Sequence, residues 1–355
     1  MKKFDPSFIT DFKNYSKERT PDFNNILKVL NKEKPSRPTL YEMFMNTPLE
    51  LFLSGVKSKS DNYIEYQKMR IDAFRAAGYD YCTIEGSLFD FPKAASNHGK
   101  SSMSVNSDVL IFDRESFNNY KWPDPEDFDN SDLDILGEYL PEGMKIISQA
   151  PCGVLENVTF LLGYEGICFM MMDDPELLQE VFDHVGSRLV KYYELAAKHS
   201  SVGALICNDD WGFATQTMLS ADDMRKYVFP WHKKISDTIK AAGKPVILHS
   251  CGQLKEVYED IINDLKFDGK HSYEDKIQPV EEAYEMLNPR IAVLGGIDLD
   301  YVCRSTPEEI YSRCCKMLER SADRGGYALG SGNSIPDYVP YDNYLAMICA
   351  VLVNS

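Results

Sequence analysis

Long hydrophobic runs are missing from this chain. No stretch reaches the ~18 consecutive apolar residues that a bilayer span needs, and the opening MKKFDPSFITDFKNYSKERT lacks the apolar centre of an export signal. A cytoplasmic protein with no membrane association is expected. Basic charge is also in deficit: 38 Lys and Arg stand against 55 Asp and Glu, for a formal net charge of −17. Nucleic acid is excluded as a partner on that ground, because its phosphates need a basic face. No disulfide framework is visible either, since the nine cysteines are odd in number and irregularly spaced. Most of them read as small buried hydrophobes. The nearest approach to a glycine-rich phosphate loop, GGYALGSG at 325–332, fits neither the dinucleotide nor the P-loop spacing. Internal repeats and low-complexity segments are absent.

What the chain does have is core. With 355 residues and 44% hydrophobic content it can fill one large α/β domain. Residues 1–65 are polar and mixed in charge, with helix-like stretches around Asp22–Leu30 and Thr39–Leu53 split by KPSRP at 34–38. They read as an N-terminal helical extension. From residue 66 to 355, short apolar runs alternate with longer amphipathic stretches, the mark of repeated βα units. Eight candidate strands follow: 79–86, 107–113, 145–151, 202–209, 245–252, 267–273, 290–298 and 327–333. Helix starts are signalled by Asp174-Pro175-Glu176, by Ser220 ahead of Asp222 and Asp223, and by Thr306 with Glu309 at capping-box spacing. The fold expected is α/β, a (β/α)8 TIM barrel with an N-terminal helical extension. Its strand ends carry polar chemistry: Glu85, Asp113, Gln149, Asp209 and Asp210, His249 and Cys251, His271 and Glu274, Asp298, Ser331 and Asn333. In a barrel these ends converge on one mouth, where active sites sit.

Within PVILHSCG (245–252), His249 and Cys251 are one residue apart at the end of an apolar strand. Extended backbone points positions i and i+2 to the same side, so an imidazole and a thiolate can face one metal ion. Gly252 lets the chain turn away sharply. A catalytic zinc takes three protein ligands and keeps a position open. Glu274, at the next strand end, is the preferred third ligand, with Ser331, His271 and Cys303 as alternatives. The competing reading is a buried histidine bonded to backbone beside an inert cysteine. Asp209 and Asp210 can position substrate or move a proton, or can serve as a loop salt bridge or cap. His271 suits either orientation of a metal ligand or a solvated loop. His98, His184, His199 and His232 receive no role. The methionines at 170–172 read as core, and Cys314-Cys315 as inert.

The stretch running from CNDDWG to PVILHSCGQL (207–254), together with GGIDLDYVCRSTPEEI and GGYALGSGNSIPDYVPYDNYLAM, resembles the uroporphyrinogen decarboxylase superfamily over residues 145–350; RPTLYEMF near the start adds a weaker likeness. The resemblance implies the barrel and one of two activities. Cofactor-free uroporphyrinogen decarboxylases carry an arginine pair near the N-terminus, and the segment RPTLYEMFMNTPLE lacks it. The other branch holds zinc-dependent methyltransferases that work with corrinoid proteins, with a His-x-Cys motif and a later cysteine. His249 and Cys251 match the first two positions, and the third region reads GSGNS at 330–334. On this resemblance the expected activity is methyl transfer between a small substrate (a methyl ether, alcohol, amine or thiol) and the cobalt of a corrinoid, with Zn2+ as the metal. No segment here resembles a cobalamin-binding one, so the corrinoid is expected on a partner protein. Tyr164, in a segment similar to the family's substrate-facing loop, is a candidate catalytic residue beside Asp209 and Asp210, and Glu156 has similar standing; a structural hydroxyl is the other reading of Tyr164. Decarboxylation, and a non-catalytic binding role on the same barrel, are the alternatives.

Overall fold

The computed structural model of the chain describes residues 1–93 and 109–355. Seven parallel strands form one sheet in sequence order: β1 (Tyr81–Glu85), β2 (Lys145–Gln149), β3 (Val202–Asn208), β4 (Val246–His249), β5 (Gly269–His271), β6 (Ala292–Leu294) and β7 (Tyr327–Ala328). All four residues of β4 are buried, and most of β3 is. Continuous apolar runs require this, because such strands meet helices on one face and the barrel interior on the other.

The helices begin where their caps place them. Asp174 accepts from the Leu177 N–H and Pro175 takes the first turn of Pro175–Ala197, whose Leu177, Val181, Val185 and Leu189 form one buried stripe. Ser220 accepts from the Asp223 N–H, and Thr306 and Glu309 close a capping box on Pro307–Ser321. The helix Tyr341–Leu352 is buried at every position from Asn343 onward. No single helix among the described residues is long and apolar enough to cross a membrane.

The strand expected at 107–113 does not form in the described part. Residues 107 and 108 lie outside it, and in 109–113 the Leu110 and Ile111 N–H groups both donate to the Leu161 carbonyl, at 2.9 Å each. Asp113 is spent capping the next helix, Arg114–Asn119. The eighth place in the barrel goes instead to residues 39–45. This segment forms parallel bridges Leu40 to Leu329 and Met45 to Ile335, with Tyr41 N–H donating to the Leu329 carbonyl at 2.7 Å. Along its other edge, the Tyr81 hydroxyl donates to the Glu42 carbonyl at 2.8 Å and the Thr83 hydroxyl to that of Met43. The helix expected over 39–53 therefore starts late, at Thr47, where Asn46 caps it by accepting from the Leu49 N–H. Backbone bonds to the β7 side and hydroxyl bonds from β1 satisfy the polar groups of this segment and hold it extended.

Arg37 and Arg19 hold this segment from below, through ion pairs of 2.7 and 3.5 Å with the fully buried Asp80. Above it, the backbone of Gly330 lies against the Tyr41 carbonyl so closely that a Cβ would collide with it. Gly330→Ala is accordingly expected to destabilise the protein by about 1–3 kcal/mol, seen as a lower urea midpoint; an unchanged midpoint would show that residues 39–45 do not need this contact.

Candidate metal centre

The ladder pairs Asn208 with His249 and His249 with His271. Paired positions on neighbouring strands share a face, so these side chains line one side of the sheet, and Cys251 follows His249 on it. Gly252 adopts φ +86°, and a Cβ there would strike the backbone of Gly212. With no side chain at either position, the loops after β3 and β4 lie in direct contact. Hydrogen bonds lace that contact. Cys251 N–H donates to Asp210 Oδ1 at 3.0 Å, Trp211 N–H to Ser250 Oγ at 3.1 Å, and Gln253 N–H to the Phe213 carbonyl at 2.8 Å.

The outcome is a cluster in which one ligand atom each from Asp210, His249 and Cys251 lies within 4.8 Å of the others. Cys251 Sγ is 3.9 Å from His249 Nε2. Asn333 Nδ2 approaches the sulfur to 3.3 Å from the β7 side, and Ser272 Oγ to 3.6 Å from the end of β5. Imidazole nitrogen, thiol sulfur and carboxylate oxygen are the donors that zinc accepts, and three is the protein ligand count of a catalytic site. The residues present fit that metal.

Burial pushes the Cys251 thiol up to about 12, with the Asp210 carboxylate adding to the rise. Burial also brings His249 down to about 4, against the pull of Asp210. The pair is thus a neutral thiol and a neutral imidazole near pH 7. A divalent cation would compensate the thiolate charge that burial opposes.

The expected site residues divide. His249, Cys251 and Asp210 are brought together. Glu274 is exposed and does not belong to the cluster; it lines a small cleft with Gly252, Tyr258, Lys270 and Ser272. Of the alternative third ligands, Cys303 lies on the helix Leu299–Arg304 outside the cluster. Ser331 Oγ is committed to Glu42 Oε1 at 2.8 Å, and His271 stands behind His249, Nδ1 to Nδ1 at 2.8 Å.

Asp209, expected to face substrate, is fully buried and carries four donors: the Leu155 and Glu156 N–H groups, Trp211 Nε1 and His232 Nε2, at 2.7–2.9 Å. Three of them meet Oδ2 and one Oδ1, and all come from the neighbouring loop and helices, so the geometry supports the other reading of Asp209, a cap for the helix Val154–Leu162 that also holds the loop. Tyr164 likewise gives its hydroxyl to the Met218 carbonyl at 2.7 Å, the structural reading. Sequence reasoning missed Glu42, Ser272 and His232 as neighbours of the site. Asn333 was visible as a strand-end residue, but nothing in its spacing showed that it reaches Cys251.

Glu156 sits at the first turn of Val154–Leu162, its Oε2 accepting from the Gly153 N–H at 3.0 Å. Burial first, and the charges of Asp209 and Asp210 next, raise its carboxyl to about 8. It is a protonated acid at neutral pH, beside the cluster.

Residues 133–352, well over half of the chain, match the profile of the family described as Uroporphyrinogen decarboxylase (URO-D). A methylated-thiol–coenzyme M methyltransferase of Methanosarcina mazei is 24% identical over 177 residues, 50% of this chain and 46% of that protein. A uroporphyrinogen decarboxylase of Myxococcus xanthus is 27% identical over 172 residues, 46% of this chain and 44% of that protein. The matched region thus spans about half the length of these curated relatives. Among solved structures, a methyltransferase from Methanosarcina mazei aligns with a TM-score of 0.68 over 92% of this chain and 96% of that one, at 14% identity. That likeness speaks to the fold alone.

A carboxyl whose folded value is raised binds its proton more tightly folded than unfolded. Its stabilising contribution is complete below about 4.5 and is lost as pH rises through about 8. In chelator-treated protein the urea midpoint is expected to fall across that window, and Glu156→Gln to flatten the fall; the same slope in both proteins would remove Glu156 as a cause.

Proposed function

This chain belongs to the uroporphyrinogen decarboxylase family, and from that premise we propose that it is a zinc-dependent methyltransferase, passing a methyl group between a small substrate and the cobalt of a corrinoid held by a separate protein. The observation that carries this reading is the convergence of Asp210, His249 and Cys251 within 4.8 Å. Similarity to a methylated-thiol–coenzyme M methyltransferase supports it.

A second observation weighs against decarboxylation of a polycarboxylate. The residues at and just after the carboxyl ends of β1 to β4, among them Glu85, Gln149, Asp210, His249 and Cys251, include no arginine. The arginine of RPTLYEMF, Arg37, is spent on Asp80 at 2.7 Å. A substrate rich in carboxylates would find no guanidinium there to pair with.

When bound, zinc supplies a Lewis acid that lowers the pKa of a thiol or polarises the oxygen of a methyl ether or alcohol. His249 and Cys251 would hold it from β4 and Asp210 from β3. Asp210 Oδ1 takes the Cys251 N–H, which keeps the carboxylate oriented beside the sulfur. Asn333 Nδ2 donates toward Cys251 Sγ and draws charge from it, which moderates its donor strength. Glu156, whose carboxyl is raised in the metal-free protein by burial and by the charges of Asp209 and Asp210, is the acid beside the cluster suited to hand a proton to a leaving oxygen or nitrogen.

Protein purified without chelator is expected to contain one zinc per chain, and His249→Ala, Cys251→Ala and Asp210→Ala each to lose it together with methyl transfer to or from free cobalamin. Full turnover in chelator-treated protein, or metal-independent loss of CO2 from uroporphyrinogen, would overturn the proposal.

A further inference from the structure

We infer that His271 is a positioning residue that fixes His249 in the neutral tautomer able to bind a metal, with Ser331 and Glu42 anchoring His271 in turn. The role in metal binding rests on the function proposed above; the tautomer itself does not.

The direction of each hydrogen bond follows from one end of the row. His271 Nε2 lies 3.1 Å from the Ser331 carbonyl oxygen. A carbonyl only accepts, so Nε2 carries the hydrogen. Both rings are buried, His271 completely, and among the described residues no carboxylate accepts from either, so neither is held as an imidazolium. A neutral His271 protonated at Nε2 presents a lone pair at Nδ1. That lone pair meets His249 Nδ1 at 2.8 Å, so the hydrogen between the rings belongs to His249. Two N–H groups could not face each other at that distance. His249 Nε2 is then left bare, and it is the atom 3.9 Å from Cys251 Sγ. Which nitrogen of a histidine binds a metal is set by the hydrogen bond that the other makes.

Further contacts keep His271 in register. The edge of its ring packs against Tyr41, centroids 5.1 Å apart. The Ser331 carbonyl also accepts from Gly296 N–H at 2.8 Å, while Ser331 Oγ and N–H donate to the two oxygens of Glu42 at 2.8 and 3.3 Å. Ser331 thus serves through its backbone, and its side chain joins β7 to the segment in the eighth place of the barrel. The row runs from His249 through His271 and Ser331 to Glu42. Glu42, Ser331 and His271 are fully buried, so the part of the row behind His249 is shielded from water.

The test is long-range 1H–15N correlation on histidine-labelled, chelator-treated protein at pH 7, followed by Co2+ titration. Expected are His249 protonated at Nδ1 with Nε2 bare, and His271 protonated at Nε2. In His271→Phe, His249 is expected to lose its single tautomer and Co2+ affinity to fall about 10–100-fold. His271→Gln, whose carbonyl can accept from His249 Nδ1–H, is expected to restore part of both. His249 protonated at Nε2 in the unaltered protein would overturn the inference without need of any variant. So would His271→Phe with unchanged tautomer and Co2+ affinity. If the tautomers are as expected but the unaltered protein binds no divalent metal, the inferred positioning stands and the zinc reading falls.

Discussion

The backbone of Gly252 lies so near that of Gly212 that a Cβ at either position would press on the other loop. This approach of two bare backbones brings the end of β3 against the end of β4, and the candidate centre depends on it. Cys251 donates its N–H to Asp210 across the gap, and Asp209, next in sequence, holds the following helix, Trp211 and His232. A bulkier residue at either glycine would separate carboxylate from thiol. The adjacent aspartates therefore divide the work. The buried one builds the loop, and the half-exposed one is free to face a cation.

Behind the centre, a polar row crosses the barrel interior from His249 to Glu42. Burying so many polar groups is costly unless each finds a partner. Here the imidazoles, the serine and the carboxyl satisfy one another. The row reaches into residues 39–45, which supply the eighth place of the barrel, so closure of the fold and orientation of a candidate ligand share the same residues. Burial in this mostly apolar segment raises the Glu42 carboxyl to about 8, against the pull of its hydrogen bonds from Ser331.

Much of this was legible beforehand. Apolar runs located the seven strands, caps located the long helices, and the one-residue spacing in HSCG made His249 and Cys251 a pair. Asp210 was legible as chemistry but not as a third partner. Spacing indicates which strand end carries a residue; it does not give the height of that residue above the barrel, nor how closely two loops approach. Glu274 illustrates the difference, since it stands at the right strand end and is exposed outside the cluster. Ser331 and Asn333 also share a strand end, yet one turns to Glu42 and the other to Cys251.

By itself the sequence determined the period of burial, the helix starts marked by caps at Asp174, Ser220 and Thr306, and the His249–Cys251 donor pair, because these depend on residues within a few positions of one another. Tertiary structure alone decided that residues 39–45 complete the barrel, that Asp210 joins His249 and Cys251, and which nitrogen of His249 is left bare. Each of those rests on groups far apart in the chain, and only closure of the barrel sets the distances at which an acceptor, a donor or a missing side chain takes effect.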